Sequence, residues 1–155
     1  QGFFVTLFLG VCNVKTGQLQ YANAGHHPAV VKPADGPIRV EGEATGTILG
    51  TLPDATWNMK SLQLDPGDHF ILYTDGLTEA HAGDEEMIEL AGVERQLKKD
   101  ACQTAQDVCE HLIQLAVEVQ NDQLFDDVTV MDLFRHANNK PSASSGDSDG
   151  AGGRT

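Results

Sequence analysis

Basic side chains are scarce in this 155-residue chain: 10 Lys plus Arg stand against 23 Asp plus Glu, a formal net charge of −13. That balance argues against a nucleic-acid or anionic-membrane partner, because phosphate contacts need clustered Lys and Arg. Acidity suits metal cations, although a well-solvated surface is its commoner meaning. Long apolar runs are missing too. None reaches the roughly 18 residues of a transmembrane helix, so no membrane contact is expected from this segment. The three cysteines, Cys12, Cys102 and Cys109, are odd in number and form no Cys-x-x-Cys pair, which argues against a disulfide framework or a structural zinc site. They read as small core residues in a reducing, cytoplasmic protein, and Cys102 and Cys109, seven apart, share one face if that segment is helical. Also absent are His-x-x-x-His, Gly-x-Ser-x-Gly and a Gly-rich phosphate loop. Their absence weakens zinc-protease, hydrolase-triad and P-loop readings.

What is present fits one domain. Residues 138–155 hold four Gly, four Ser and no large apolar side chain, so they read as a disordered tail behind a folded part of residues 1–137. The chain opens Gln1-Gly2-Phe3 inside an apolar run with no charged leader before it. The expectation is a domain entered partway through rather than a signal peptide. Phe3 to Val14 reads as a buried strand, turning at Lys15-Thr16-Gly17 into a hairpin with Gln18 to Ala22. Short strands are expected at His27–Lys32, Ile38–Val40, Trp57–Leu64 and, after the Asp65-Pro66-Gly67-Asp68 turn, His69–Thr74. Two helices follow. Asp84–Lys99 carries a stripe of Met87, Leu90 or Ala91, Glu94 and Leu97; Thr104–Gln120 carries Ala105, Val108, Leu112, Leu115 and Val119, with Thr104 as N-cap. Val128–Phe134 returns to strand. Strands, then helices, then a strand, joined by hairpin-length links, predict an α+β domain on antiparallel sheet.

Three segments could carry chemistry. Asp75 ends an apolar strand in Tyr73-Thr74-Asp75-Gly76 and can present a carboxylate to a hard cation, although Asp-Gly is also a common turn. Asp126 and Asp127 precede the last strand, where two adjacent acids repel unless a cation or solvent relieves them. Side chains diverge along an extended segment, so one of the pair suffices. Together these strand ends could supply carboxylates to a metal pair. In Asn23-Ala24-Gly25-His26-His27-Pro28, a His could serve as ligand or general acid, or as a structural cap.

Taken in order, Phe4-Val5-Thr6-Leu7-Phe8-Leu9-Gly10, Tyr21-Ala22-Asn23-Ala24-Gly25-His26, Gly46-x-x-x-Gly50, Leu64-x-Pro66-Gly67-Asp68, Leu72 to Ala80 (LYTDGLTEA) and Asp126-Asp127-Val128-Thr129 resemble the SpoIIE/RsbU-type branch of the metal-dependent (PPM) serine/threonine phosphatases. The resemblance spans nearly all of residues 3–135. It implies an antiparallel β-sandwich flanked by helices, N-terminally truncated here, with two Mn²⁺ or Mg²⁺ ions at one end in the intact domain. It further implies Asp75 and Asp126 as metal ligands, Asp127 as the second choice of the adjacent pair, His26 near the metals, and Glu79 as support for the segment after Asp75. A family Gly-Asp-x-x-Gly-x-Gly element, whose Asp bridges the metals, would precede Phe3.

By the resemblance, the parent protein is expected to hydrolyse phosphoserine or phosphothreonine on a regulatory protein such as an anti-sigma-factor antagonist, through a metal-activated water. This segment by itself is expected to be metal-poor and inactive. The helices could serve a homodimer face. The rival readings are a non-catalytic phosphatase-like binding module and an acidic α+β binding domain without metal chemistry.

Overall fold

The computed structural model describes residues 3–81, 87–99, 103–120 and 126–136. Seven strands and three helices follow in the order β1 (Leu7–Cys12), β2 (Gln18–Ala24), β3 (Ala29–Lys32), β4 (Arg39–Glu41), β5 (Lys60–Gln63), β6 (His69–Tyr73), α1 (Asp75–Thr78), α2 (Glu89–Lys99), α3 (Ala105–Val119) and β7 (Val130–Phe134). They form two sheets, ordered β1-β2-β5 and β4-β3-β6-β7, and every pairing between named strands is antiparallel. The expected α+β sandwich with flanking helices is what the chain builds.

The pleat divides the core in two. Side chains alternate across a strand, and the register Val30↔Ile71, Val31↔Phe70 sends neighbouring residues of β3 and β6 to opposite faces. Val31 and Phe70 join Leu19, Ala29 and Leu64 between the sheets. Val30, Ile71 and Tyr73 face the helices, where Leu77, Val93, Leu97, Val108, Leu112 and Ala116 cover them. Burying each Leu of this layer contributes about 1.5–3 kcal/mol. Helix α3 starts as its sequence prescribes. The Thr104 hydroxyl accepts from the Asp107 amide while the Asp107 carboxylate accepts from the Thr104 amide, a capping box.

Three details differ from the expectations. Phe3 to Val14 reads as a buried strand; among the described residues β1 pairs with β2 alone, on the rim of its sheet. Phe8 and Cys12 point into the sandwich, while Leu9 and Val11 stand 60% and 68% exposed. Period-2 alternation with one sheet to cover it leaves the outer face open. The buried stripe of α2 is Val93 and Leu97 with Leu90 beside them, and Met87 is exposed; residues at i, i+3 and i+7 share a face. The Asp75-Gly76 turn is a single-turn helix. Cys12 and Cys109 are free thiols. Cys102, residues 84–86 at the front of the first expected helix and the expected tail of residues 138–155 lie outside the described residues.

One buried polar pair sits in the helix-covered layer. The His69 Nδ1 and Asp132 Oδ2 are 2.5 Å apart, with side chains 4% and 0% exposed, and His69 stacks on Phe134. Among the described residues, Asp132 Oδ1 has no hydrogen-bond partner. His69 from β6, Lys32 from β3 and Cys109 from α3 act on this carboxyl. Burial raises its pKa above the ordinary value, an effect that the His69 hydrogen bond and the charges of His69 and Lys32 only partly offset. A folded state that holds a proton more tightly than the unfolded chain is favoured at low pH, and that contribution is lost as pH rises through the folded value. We predict that Asp132→Asn removes this component. Thermal melts from pH 4 to 7 should show the variant's midpoint rising relative to the parent's as pH increases; a flat or falling difference would contradict it.

Candidate metal centre

The antiparallel pairing of β6 with β7 decides where the acids lie. Tyr73, the last residue of β6, pairs with Val130, the first of β7. The residues that follow the one and precede the other therefore emerge at the same end of the sheet. Asp75 and the Asp126-Asp127 pair, about fifty positions apart in the chain, leave from neighbouring strand ends.

The contact between the two segments is specific. The Thr74 amide donates to the Thr129 carbonyl at 3.1 Å. The Thr74 hydroxyl donates to the Asp127 carbonyl and accepts from the Thr129 amide, both at 2.9 Å. Gly76 lies against the same carbonyl, for a Cβ there would stand 2.6 Å from the Asp127 oxygen. No side chain fits where the two backbones approach so closely. Thr74 and Gly76 thus grip the Asp126–Asp127 loop from either side of Asp75.

The carboxylates themselves are exposed. Asp75 Oδ1 accepts from the Gly76 amide at 3.1 Å, and Asp126 Oδ1 accepts from the Asp127 amide at 2.7 Å. These hard oxygen donors on adjoining segments suit Mg²⁺ or Mn²⁺, which keep several waters and bind through few carboxylates. They fit such an ion as part of its coordination shell. Among the described residues, no three His, Cys, Asp or Glu side chains cluster as a ready-made cage, so water or a further acid would complete it. Glu79 sits with its side chain exposed, and its amide donates to the Asp75 carbonyl at 2.8 Å, closing α1.

His26 follows the end of β2 and lines a cleft of about 280 Å³ together with Thr6, Phe8, Tyr73, Thr74 and Thr129. This places the imidazole beside the segments that follow β6 and precede β7. Its Nδ1 lies 3.0 Å from the His27 carbonyl. A carbonyl only accepts, so Nδ1 is the donor in this contact. His27 instead stacks on Tyr73, whose phenol is raised in pKa by burial.

Sequence reasoning gave no role to Asn23 or Thr74. Asn23 is fully buried. Its Oδ1 accepts from the His26 amide at 2.7 Å, and its Nδ2 donates to the His26 and Gly42 carbonyls at 2.9 and 2.7 Å. Gly25 turns through φ +74° between them. Asn23 therefore holds the turn that presents His26. An Asn flanked by Tyr21, Ala22 and Ala24 at the end of β2, where the neighbouring side chains are apolar, was the available signal. The Leu64-to-Asp68 motif is structural: the buried Asp68 carboxylate accepts from the Ala34 and Asp65 amides at 3.0 and 2.9 Å.

With this geometry in place, likenesses to known proteins become informative. A family model described as Stage II sporulation protein E (SpoIIE) matches residues 1–136. Protein IcfG of Synechocystis sp. is 31% identical over 133 residues, which are 86% of this chain and 21% of that protein. Phosphoserine phosphatase RsbU of Bacillus subtilis is 28% identical over 132 residues, 85% of this chain and 39% of that protein. Among solved structures, the RsbU and RsbW domains of Rv1364c from Mycobacterium tuberculosis match with TM-score 0.70 at 26% identity, over 85% of this chain and 36% of that one. The Mn-presoaked phosphatase domain of SpoIIE from Bacillus subtilis matches in fold with TM-score 0.68 at 20% identity, over 86% of this chain and 57% of that one. The chain spans well under half the length of the curated relatives it matches.

The Asn23 network carries a direct consequence. Asn23→Ala leaves the His26 amide and the His26 and Gly42 carbonyls without their partner, at a cost of about 2–4 kcal/mol. Urea denaturation should register that loss as a lower midpoint with an unchanged slope.

Proposed function

This chain belongs to the SpoIIE family, and from that membership we propose that the protein carrying it is a metal-dependent phosphoprotein phosphatase. The observation that carries this reading is the convergence of Asp75 and the Asp126–Asp127 loop at one end of the sandwich, tied together through Thr74. Asp75 and Asp126 hold the metal through carboxylate oxygen, and Asp127 is the alternate donor of its pair. Bound Mn²⁺ or Mg²⁺, two ions in the intact domain, supplies a water of lowered pKa and neutralises phosphoryl charge. The chain's own residues orient and bind. No side-chain nucleophile is required, and His26, which lines the neighbouring cleft, is the candidate to take or return a proton.

The substrate class is phosphoserine or phosphothreonine on a regulatory protein such as an anti-sigma-factor antagonist, acting in the cytoplasm. What supports this is the likeness to a relative named as a phosphoserine phosphatase, together with the acidic exposed donor set. A non-catalytic binding module makes the opposite kinetic prediction. In the full-length protein, Asp75→Asn should lower Mn²⁺-dependent phosphopeptide hydrolysis about 100-fold or more while the melting midpoint moves by only a few degrees. Hydrolysis at the parent rate in that variant would refute the mechanism.

A further inference from the structure

We infer that Thr74 is the positioning residue of this centre, and that its hydroxyl sets where the Asp126–Asp127 loop stands relative to Asp75. The inference rests on the metal reading given above and adds to it a residue that touches neither metal nor substrate.

The β6–β7 ladder ends in an irregular rung. Beyond Tyr73↔Val130, a regular antiparallel rung would have Thr74 and Thr129 exchange both of their amide-to-carbonyl bonds. Only one is made in that form, from the Thr74 amide to the Thr129 carbonyl. For the other, the Thr129 amide donates to the Thr74 hydroxyl, while the Thr74 carbonyl turns away and accepts from the Leu77 amide at 3.1 Å. The hydroxyl stands in for a carbonyl that has been given to the first turn of α1.

The same residue departs from a second habit. Thr74 is the N-cap of α1, and an N-cap Thr ordinarily uses its side chain on the amides of its own helix. Here it makes no side-chain cap bond. The hydroxyl is committed across the gap to Asp127 and Thr129. A local stabilising contact has been exchanged for one that joins the two acid-bearing segments, one residue before Asp75 and directly on the backbone of Asp127. Partners that orient metal ligands typically tune affinity about 10- to 100-fold when removed.

The test is Mn²⁺ binding to the full-length protein, followed as loss of the free-ion electron paramagnetic resonance signal, which needs no turnover. Thr74→Val keeps the shape and removes the hydroxyl; Thr74→Ser keeps the hydroxyl; Asp75→Asn reports on the metal reading itself. The expected result is affinity about 10-fold weaker in Thr74→Val, near-parent affinity in Thr74→Ser and the largest loss in Asp75→Asn. Parent affinity in Thr74→Val beside weakened Asp75→Asn overturns the positioning role and leaves the metal centre standing. Equal loss in the Val and Ser variants, with lowered melting midpoints in both, also overturns it, since the hydroxyl would then not be the cause. Unchanged binding in Asp75→Asn overturns both.

Discussion

The pairing of β6 with β7 is the constraint on which the rest of the candidate centre depends. It sets Tyr73 against Val130 and so delivers Asp75 and the Asp126–Asp127 loop to one end of the sheet, although α1, α2 and α3 intervene in the chain. The pairing is anchored by burial on both faces. Phe70 packs between the sheets and Ile71 under the helices, and a slip of one residue would exchange those environments throughout the strand. The same slip would carry Thr74 out of reach of Asp127. Register in the core therefore governs geometry at the exposed rim.

The layer that protects this register also holds its least comfortable group. His69 and Asp132 lie at the start of β6 and in the middle of β7, buried beneath the helices. A carboxyl without a partner for one oxygen is expensive in such a place, and its raised pKa follows from that desolvation. The acids of the candidate centre live in the opposite environment, exposed to water at the far end of the same two strands. One ladder thus carries a buried carboxyl favouring protonation and exposed carboxylates suited to a cation, and solvent access separates the two behaviours.

Much of this was legible in the chain. The β-branched and aromatic runs, the Asp-Pro-Gly-Asp turn and the Thr104 cap marked the elements. The motif order through Asp75 and Asp126 carried the family, which the match over residues 1–136 bears out. Less legible was which face of each element would be covered. β1 has the composition of a core strand, and among the described residues only β2 pairs with it, so Leu9 and Val11 stand exposed. Composition records a strand's preference for a pleated apolar surface, whereas its neighbours determine whether one exists. The α2 stripe shifted for a related reason: Val93 is buried because of what α1 and α3 present to it.

Thr74 and Asn23 mark the boundary most clearly. By itself the sequence determined the element order, the α+β class and the acidic residues able to meet a cation, because local propensity, turn chemistry and side-chain type are properties of short segments. That Asp75 and Asp126 lie on adjoining segments was decided by long-range pairing. That a threonine hydroxyl, rather than a backbone carbonyl, joins those segments was decided by the competing claim of α1 on the Thr74 carbonyl. Hydrogen-bond partners between residues some fifty positions apart are chosen by strand register and burial, which only the folded chain possesses.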